Sequence, residues 1–251
     1  MKIWYNYWQA PYDNAADPNF FDPADYDWAQ TIMQNADAIR AELYDLIAQR
    51  NGSLIPYFAA DMDNKSQSWQ TLAFKTWGID VKTHLAACPR IAQLLQSLPQ
   101  LVSASVNLLS PDSQINPHQG DTNAIFRCHL GINIPAGLPE CGFEVNGEQR
   151  PWANNELLIF CDAHRHWAWN RASQNRLIFL FDIMREPFRA QQNAICRRVR
   201  AFLLLQWLMA RLPLIVRLPK WVHYMLFTAI RGVLWAIYPI QRRRGVLLKH
   251  S

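Results

Sequence analysis

The chain has 251 residues, half of them hydrophobic, and a formal net charge of +5 at pH 7. That apolar content excludes global disorder, and the length suffices for one ample core or one domain with an appendage. Five cysteines, an odd count with no C-x-x-C pair, argue against a disulfide framework, leave a zinc ribbon unsupported and point to a reducing compartment.

Residues 1–27 are aromatic and rich in Pro, Asn and Asp, an irregular segment expected to pack on a domain surface. The opening "MKIWYNYWQAPYDNAADP" reaches polar and acidic residues too soon for a signal peptide, so the catalytic or binding part is expected in the cytosol. From Trp28 to Gln49, Ile32, Ala36, Ile39, Leu43, Leu46 and Ile47 recur at three- and four-residue steps, which predicts one amphipathic helix. Asn51-Gly52 is suited to ending it. "SLIPYFAA" and "SWQTLAFKTWGI" read as short strands around a polar turn, and "CPRIAQLLQSL" as a short helix with Pro89 in its first turn.

From Leu101 the pattern becomes β-rich. "LVSASVNLLS", "AIFRCHLGINI", "GFEVNGEQRPW", "ELLIFCDAHRHWAWN" and "NRLIFLFDIM" are strand-like runs separated by Pro, Gly and Asn. Asn146-Gly147 is a strong hairpin signal. Short strands at this spacing, with no helices between them, predict a sandwich or jelly roll.

After Pro187 the chain is apolar, aromatic and punctuated by lone cations. Residues 1–186 carry 13 Lys and Arg against all 20 acids, a net of −7, whereas residues 187–251 carry the other 12 cations and no acid, a net of +12. Such a split marks a polyanionic partner for one end only. No apolar run reaches the roughly 18 residues of a spanning helix. Lys220, Arg231 and Arg242 are 11 residues apart and would share a face of a continuous helix, but Pro213, Pro219 and Pro239 are expected to break it into short pieces. Cations opposite Trp, Phe and Leu describe helices lying in a membrane interface, where anionic headgroups add about 1 kcal/mol per cation. The plainer alternative is a set of core-packing helices with solvated arginines. Nucleic acid is a weaker partner, because phosphate-binding arms are usually polar.

The chemistry concentrates in "NPHQGDTNAIFRCHL" and "CDAHRHWAWN". His118 lies between Pro117 and Gly120, expected as a turn at a barrel mouth. Strand alternation would put Asp162, His164 and His166 on one face. Arg176 opens the apolar strand "RLIFLFD". Two distant histidines and an inward arginine suit a non-haem iron oxygenase, since imidazoles with open positions admit a co-substrate and O2, and an arginine fork grips a carboxylate. Each residue also has an ordinary reading: structural histidines, a weak zinc site of His164 and His166 with Asp162, and ion-pair partners for Arg127 and Arg176.

Residues 28–187, and most closely 107–187, resemble the aspartyl/asparaginyl β-hydroxylase family of Fe(II)/2-oxoglutarate dioxygenases. The matching residues are "PHQGDTNAIFRCHLGINIP", Trp152, and "FCDAHRHWAWNRASQNRLIFLFDIMREP". The resemblance implies a mainly β, cupin-like double-stranded β-helix with flanking N-terminal helices, spanning residues 28–187 between the N-terminal segment 1–27 and a basic, apolar helical tail, 188–251. It implies His118 and His166 as iron ligands, Arg176 and Asn107 at the far carboxylate of 2-oxoglutarate, and Arg127 and His129 at the co-substrate near the metal. Gly120 matches the family's lack of the carboxylate that most such oxygenases carry two residues after the first histidine. Asp162 is then expected to hold a metal-bound water or to orient His166. Arg165 and Trp167 depart from the family pattern at positions that can face substrate. The family includes protein hydroxylases acting on Asp or Asn and bacterial lipid A acyl-chain hydroxylases with basic, aromatic segments after the catalytic domain. The tail therefore favours hydroxylation of an unactivated CH2 on a lipid A acyl chain, with the protein peripheral to the inner face of the cytoplasmic membrane through residues 190–249. The alternatives are β-hydroxylation of an Asp or Asn side chain and a catalytically inactive membrane-bound binding module.

Overall fold

The computed structural model describes residues 1–52, 54–58 and 62–246. The expected strand 53–60 and the tail end 247–251 lie partly or wholly outside them. In chain order the elements are β1 (Phe20–Phe21), α1 (Asp27–Gln34), α2 (Ala36–Gln49), β2 (Ile55–Pro56), β3 (Trp69–Thr76), β4 (Ile79–Asp80), α3 (Lys82–Ala87) and α4 (Pro89–Ser97). They continue with β5 (Leu101–Leu109), β6 (Ser113–His118), β7 (Ile125–Asn133), β8 (Cys141–Val145), β9 (Glu148–Arg150), β10 (Leu157–Cys161), β11 (His166–Asn170) and β12 (Arg176–Met184). The tail forms α5 (Gln192–Arg211), α6 (Pro213–Val216) and α7 (Lys220–Arg244).

Two antiparallel sheets make the expected double-layered β core. The larger runs in the order β1-β10-β7-β12-β5-β3-β2, with β4 on β3; the smaller runs β6-β11-β8-β9. Alternation along each strand sorts its side chains. Phe179, Phe181 and Ile183 of β12, Cys128 and Leu130 of β7, and Ala104 and Val106 of β5 face outward against Ile32, Ile39, Leu43 and Ile91 of α1, α2 and α4. Ile178 and Leu109 point the other way and meet Ile115, Phe143 and Ala168 of the smaller sheet. The functional side chains fall on this second, inter-sheet face. Asn146 and Gly147, at φ 49° and 84°, form the β8–β9 hairpin that their sequence predicts.

Four expectations change. The helix over 28–49 divides at Asn35, whose side-chain amide donates to Thr31 O at 2.8 Å and competes with the backbone ladder. The run 156–170 is not one strand: β10 belongs to the larger sheet and β11 to the smaller, so residues 162–165 cross between layers. Asp162 and His164 therefore do not share a strand face with His166, and His164 Nε2 instead contacts Asp17 O at 2.8 Å. His118 is not in a turn but closes β6, paired in register with His166. Pro239 does not end α7; it removes one ladder bond, to the carbonyl of Trp235, on an exposed face of the helix. Lys220, Arg231 and Arg242 thus do lie along one side of a continuous helix.

The N-terminal segment packs as expected. Tyr5 bridges to Thr122, and the tilted rings of Tyr7 and Phe202 lie 3.5 Å apart, tying the loop after His118 to the tail. Helix α5 is anchored by Ile195, Cys196 and Val199 against Trp77, Val102 and Phe188, and α7 packs on α5 through Phe227 and Leu234. Among the described residues, no helix is long and apolar enough to cross a membrane.

Candidate active site

His118 and His166 come together where β6 and β11 pair, with ring centroids 4.3 Å apart and planes at 59°. Each ring is pinned through Nδ1 to a backbone carbonyl, His118 to Asn116 O at 2.7 Å and His166 to His164 O at 2.8 Å. A carbonyl only accepts, so each Nδ1 carries the proton and each Nε2 presents a lone pair. Burial pushes His118 down to about 4, opposed by the Asn116 carbonyl and assisted by Arg127. Burial, with His118 beside it, holds His166 well below the ordinary imidazole range. Both are neutral at pH 7, the form that binds a metal.

Asp162 stands beside them. Its Oδ1 is 3.8 Å from His166 Nε2 and 2.6 Å from Arg127 Nη1, an ion pair without hydrogen-bond alignment. The Gly120 N–H donates to Asp162 O at 2.7 Å and the Asp121 N–H to Oδ2 at 3.2 Å. A Cβ on Gly120 would sit 1.8 Å from Asp162 Oδ2, so glycine there makes room for this carboxylate. Burial pushes Asp162 upward against the pull of Arg127, with Asp182 and Asp121 adding to the rise. Arg127 also donates Nε and Nη2 to the two oxygens of Asp182, at 2.9 and 3.1 Å. Its guanidinium is therefore engaged by two protein carboxylates, although it lines the cavity.

Across the cavity lies a different environment. Arg176 is only 1% exposed, yet among the described residues its Nε and Nη2 have no hydrogen-bond partner. The Trp152 ring lies 4.7 Å from the guanidinium carbon. Desolvation pushes Arg176 down to about 10. Both nitrogens of His129 and the indole Nε1 of Trp152 are likewise buried and unpartnered. His129 is enclosed by Phe143 and Phe160, at 5.2 and 4.9 Å, and burial, then Arg176 and Arg127, keeps it neutral. Asn107 lines the same cavity with its amide committed, accepting from Trp69 Nε1 at 3.1 Å and donating to Ser105 Oγ at 2.9 Å. Trp69 and Trp167 also line this cavity.

All seven sequence-predicted residues thus surround or adjoin one cavity. Asp182 and Trp152 gain roles that the sequence reading did not assign. An acid inside the apolar run "RLIFLFDIM" was the available signal for Asp182. Trp152 was among the residues carrying the resemblance, but its place beside Arg176, with an unpartnered indole, emerges only from the structure.

Among the described residues no group of three or more His, Cys, Asp or Glu is placed to hold a metal by itself. What the chain offers is two imidazole Nε2 atoms, a donor pair that suits a first-row divalent metal with positions left open. The orphaned guanidinium fits an anion: a buried cation without a partner is costly, and a carboxylate accepting from Nε and Nη2 would satisfy both.

Residues 33–186 match the family model described as "Aspartyl/Asparaginyl beta-hydroxylase". The ornithine lipid ester-linked acyl 2-hydroxylase of Rhizobium tropici is 28% identical over 178 residues, 69% of this chain and 63% of its own. The aspartate beta-hydroxylase domain-containing protein 2 of Mus musculus is 31% identical over 61% of this chain and 47% of its own. The human aspartyl/asparaginyl beta-hydroxylase is 26% identical over 65% of this chain and 22% of its own. The chain thus spans less than two thirds of the length of these relatives. Among solved structures, a Pseudomonas putida prolyl-4-hydroxylase superposes over 60% of this chain and 88% of its own, with 18% identity and a TM-score of 0.39.

Proposed function

The chain belongs to the aspartyl/asparaginyl β-hydroxylase family, and on that premise we propose that it uses Fe(II), 2-oxoglutarate and O2 to hydroxylate an unactivated CH2 of a lipid acyl chain, lipid A first among the candidates. The observation that carries this reading is the opposition of two proton-pinned imidazoles to a buried, unpartnered guanidinium across one cavity. When bound, the iron would activate O2, the oxidant, with one oxygen atom entering succinate as 2-oxoglutarate is oxidised and loses CO2, and the other entering the new hydroxyl.

The chain's own residues bind, orient and exclude water. His118 and His166 hold the ion through Nε2, in rings that the Asn116 and His164 carbonyls keep from turning. Arg176 receives the far carboxylate of 2-oxoglutarate, and Trp152 and His129 lie beside it with N–H groups to offer. Arg127 positions Asp162 next to His166 and is itself held by Asp182. Phe143, Phe160 and Trp152 keep the interior dry, which strengthens each charge contact there.

The acyl-chain assignment draws on two supports. One is the name of the Rhizobium tropici relative, an acyl hydroxylase of a lipid. The other is the tail, which exposes Leu214, Trp221, Tyr224, Met225 and Trp235 beside cations with no acid after Glu186. We place this tail on an anionic membrane, at the inner face of the cytoplasmic membrane. The name of the human relative supports a second reading, β-hydroxylation of an Asp or Asn side chain. The test is expression in a host whose lipid A lacks the modification. The proposal expects lipid A to gain one oxygen atom, with succinate formed from 2-oxoglutarate. Unchanged lipid A with active enzyme present, or turnover only on an Asp-containing peptide, would overturn the lipid assignment. No succinate from any iron-loaded preparation would indicate an inactive module.

A further inference from the structure

We infer that the groove between α5 and α7 is a binding site for the phosphate of an anionic phospholipid headgroup, separate from the oxygenase cavity. It rests on the reading that the tail meets an anionic membrane. The groove is walled by Arg197 and Arg198 of α5 and by Arg231, Gly232 and Trp235 of α7.

Three features select phosphate. First, the cations are held ready. The Arg198 guanidinium lies over the Tyr5 ring at 4.3 Å and 5.6 Å from the Phe227 ring, and Arg231 lies 5.8 Å from that same Phe227 ring. One aromatic ring therefore holds two like charges from two helices, which repel unless an anion joins them. Second, no acid among the described residues is recorded close enough to neutralise them. Among the described residues none of the three arginines has an ion pair; Asp121 shares a small neighbouring cavity with Arg198 but lies beyond ion-pairing distance. Planar guanidinium forks match phosphate oxygens better than isolated ammonium charges do. Third, the groove continues a membrane-facing surface. Trp221, Tyr224, Met225, Thr228, Gly232 and Trp235 follow helical spacing along one exposed side of α7, with Lys220, Arg231 and Arg242 along its edge. Trp235 is 67% exposed at the groove rim, where an indole suits the headgroup layer.

The test is sedimentation of the full chain with phosphatidylcholine vesicles containing phosphatidylglycerol. The groove variant is Arg197→Gln/Arg198→Gln/Arg231→Gln. The control is Arg211→Gln/Arg217→Gln/Arg244→Gln, which removes equal charge elsewhere on the tail. Charge alone weakens both equally. The groove predicts at least a tenfold greater loss for the first. It also predicts that inorganic phosphate displaces the wild type better than chloride of equal ionic strength, and that this advantage vanishes in the groove variant. Arg198→Lys, which keeps the charge and serves if the triple variant misfolds, is expected to lose binding several-fold. Equal losses in the two triple variants, no advantage of phosphate over chloride, or an undiminished Arg198→Lys protein would overturn the groove. A wild type that ignores anionic vesicles altogether would instead remove the membrane reading beneath it.

Discussion

Arg176→Met separates stability from function at one position. The guanidinium is 1% exposed, two of its nitrogens are unpartnered, and desolvation holds it at about 10 instead of 12.5. That depression corresponds to about 3 kcal/mol of unfavourable burial at neutral pH. The contact with Trp152 at 4.7 Å returns about 1–2 kcal/mol of it. Methionine fills a similar volume without a charge, so the ligand-free variant should be more stable than wild type by about 1–2 kcal/mol. The gain comes with a loss. At a 2-oxoglutarate concentration of about 100 times Kd, the wild type is protected by about 2.7 kcal/mol, and the variant should lose that protection. Urea unfolding of iron-loaded protein under nitrogen, with and without 2-oxoglutarate, measures both. A variant destabilised by more than about 1 kcal/mol without ligand would refute the argument, as would undiminished protection by 2-oxoglutarate.

Asp182→Asn leaves Arg127 with only Asp162 and should cost about 3 kcal/mol in urea unfolding, as for a broken buried pair; a cost below about 1 kcal/mol would show the pair to be dispensable. Gly120→Asp sets a side chain where Asp162 Oδ2 already lies, so it should cost about 1–3 kcal/mol and most of the activity. Adding Asp162→Gly should recover at least about 1 kcal/mol, and strictly additive effects would contradict the shared space. His118 titrates at about 4 in the folded chain against 6.5 in an unfolded one. The folded state thus binds fewer protons between these values, and the His118 contribution to stability is complete above about pH 6.5 and fades as pH falls toward about 4. Comparing the pH dependence of unfolding for wild type and His118→Gln checks this, and parallel curves would exclude it.

The β core was legible because its β-rich runs are bounded by Pro, Gly and Asn. In β12, apolar on both faces, only the structure sorts the outward Phe179, Phe181 and Ile183 from the inward Arg176, Ile178 and Asp182. The layer crossing at 162–165 was hidden because "CDAHRH" contains neither Gly nor Pro and apolar residues flank it closely. The break at Asn35 was hidden because the apolar spacing continues across it. The two histidines and Arg176 were found by resemblance and spacing, and the structure gathers them around one cavity. The partners of Arg127 were not, since Asp182 becomes its neighbour only through the register of β12 on β7.

The central claim, a two-imidazole iron site facing an arginine that binds a carboxylate, is tested most directly by anaerobic titration of the chain with Fe(II) and then with 2-oxoglutarate. The account predicts one iron per chain, lost in both His118→Ala and His166→Ala, and 2-oxoglutarate binding that requires Arg176. Iron occupancy in the two histidine variants equal to that of the wild type would contradict it.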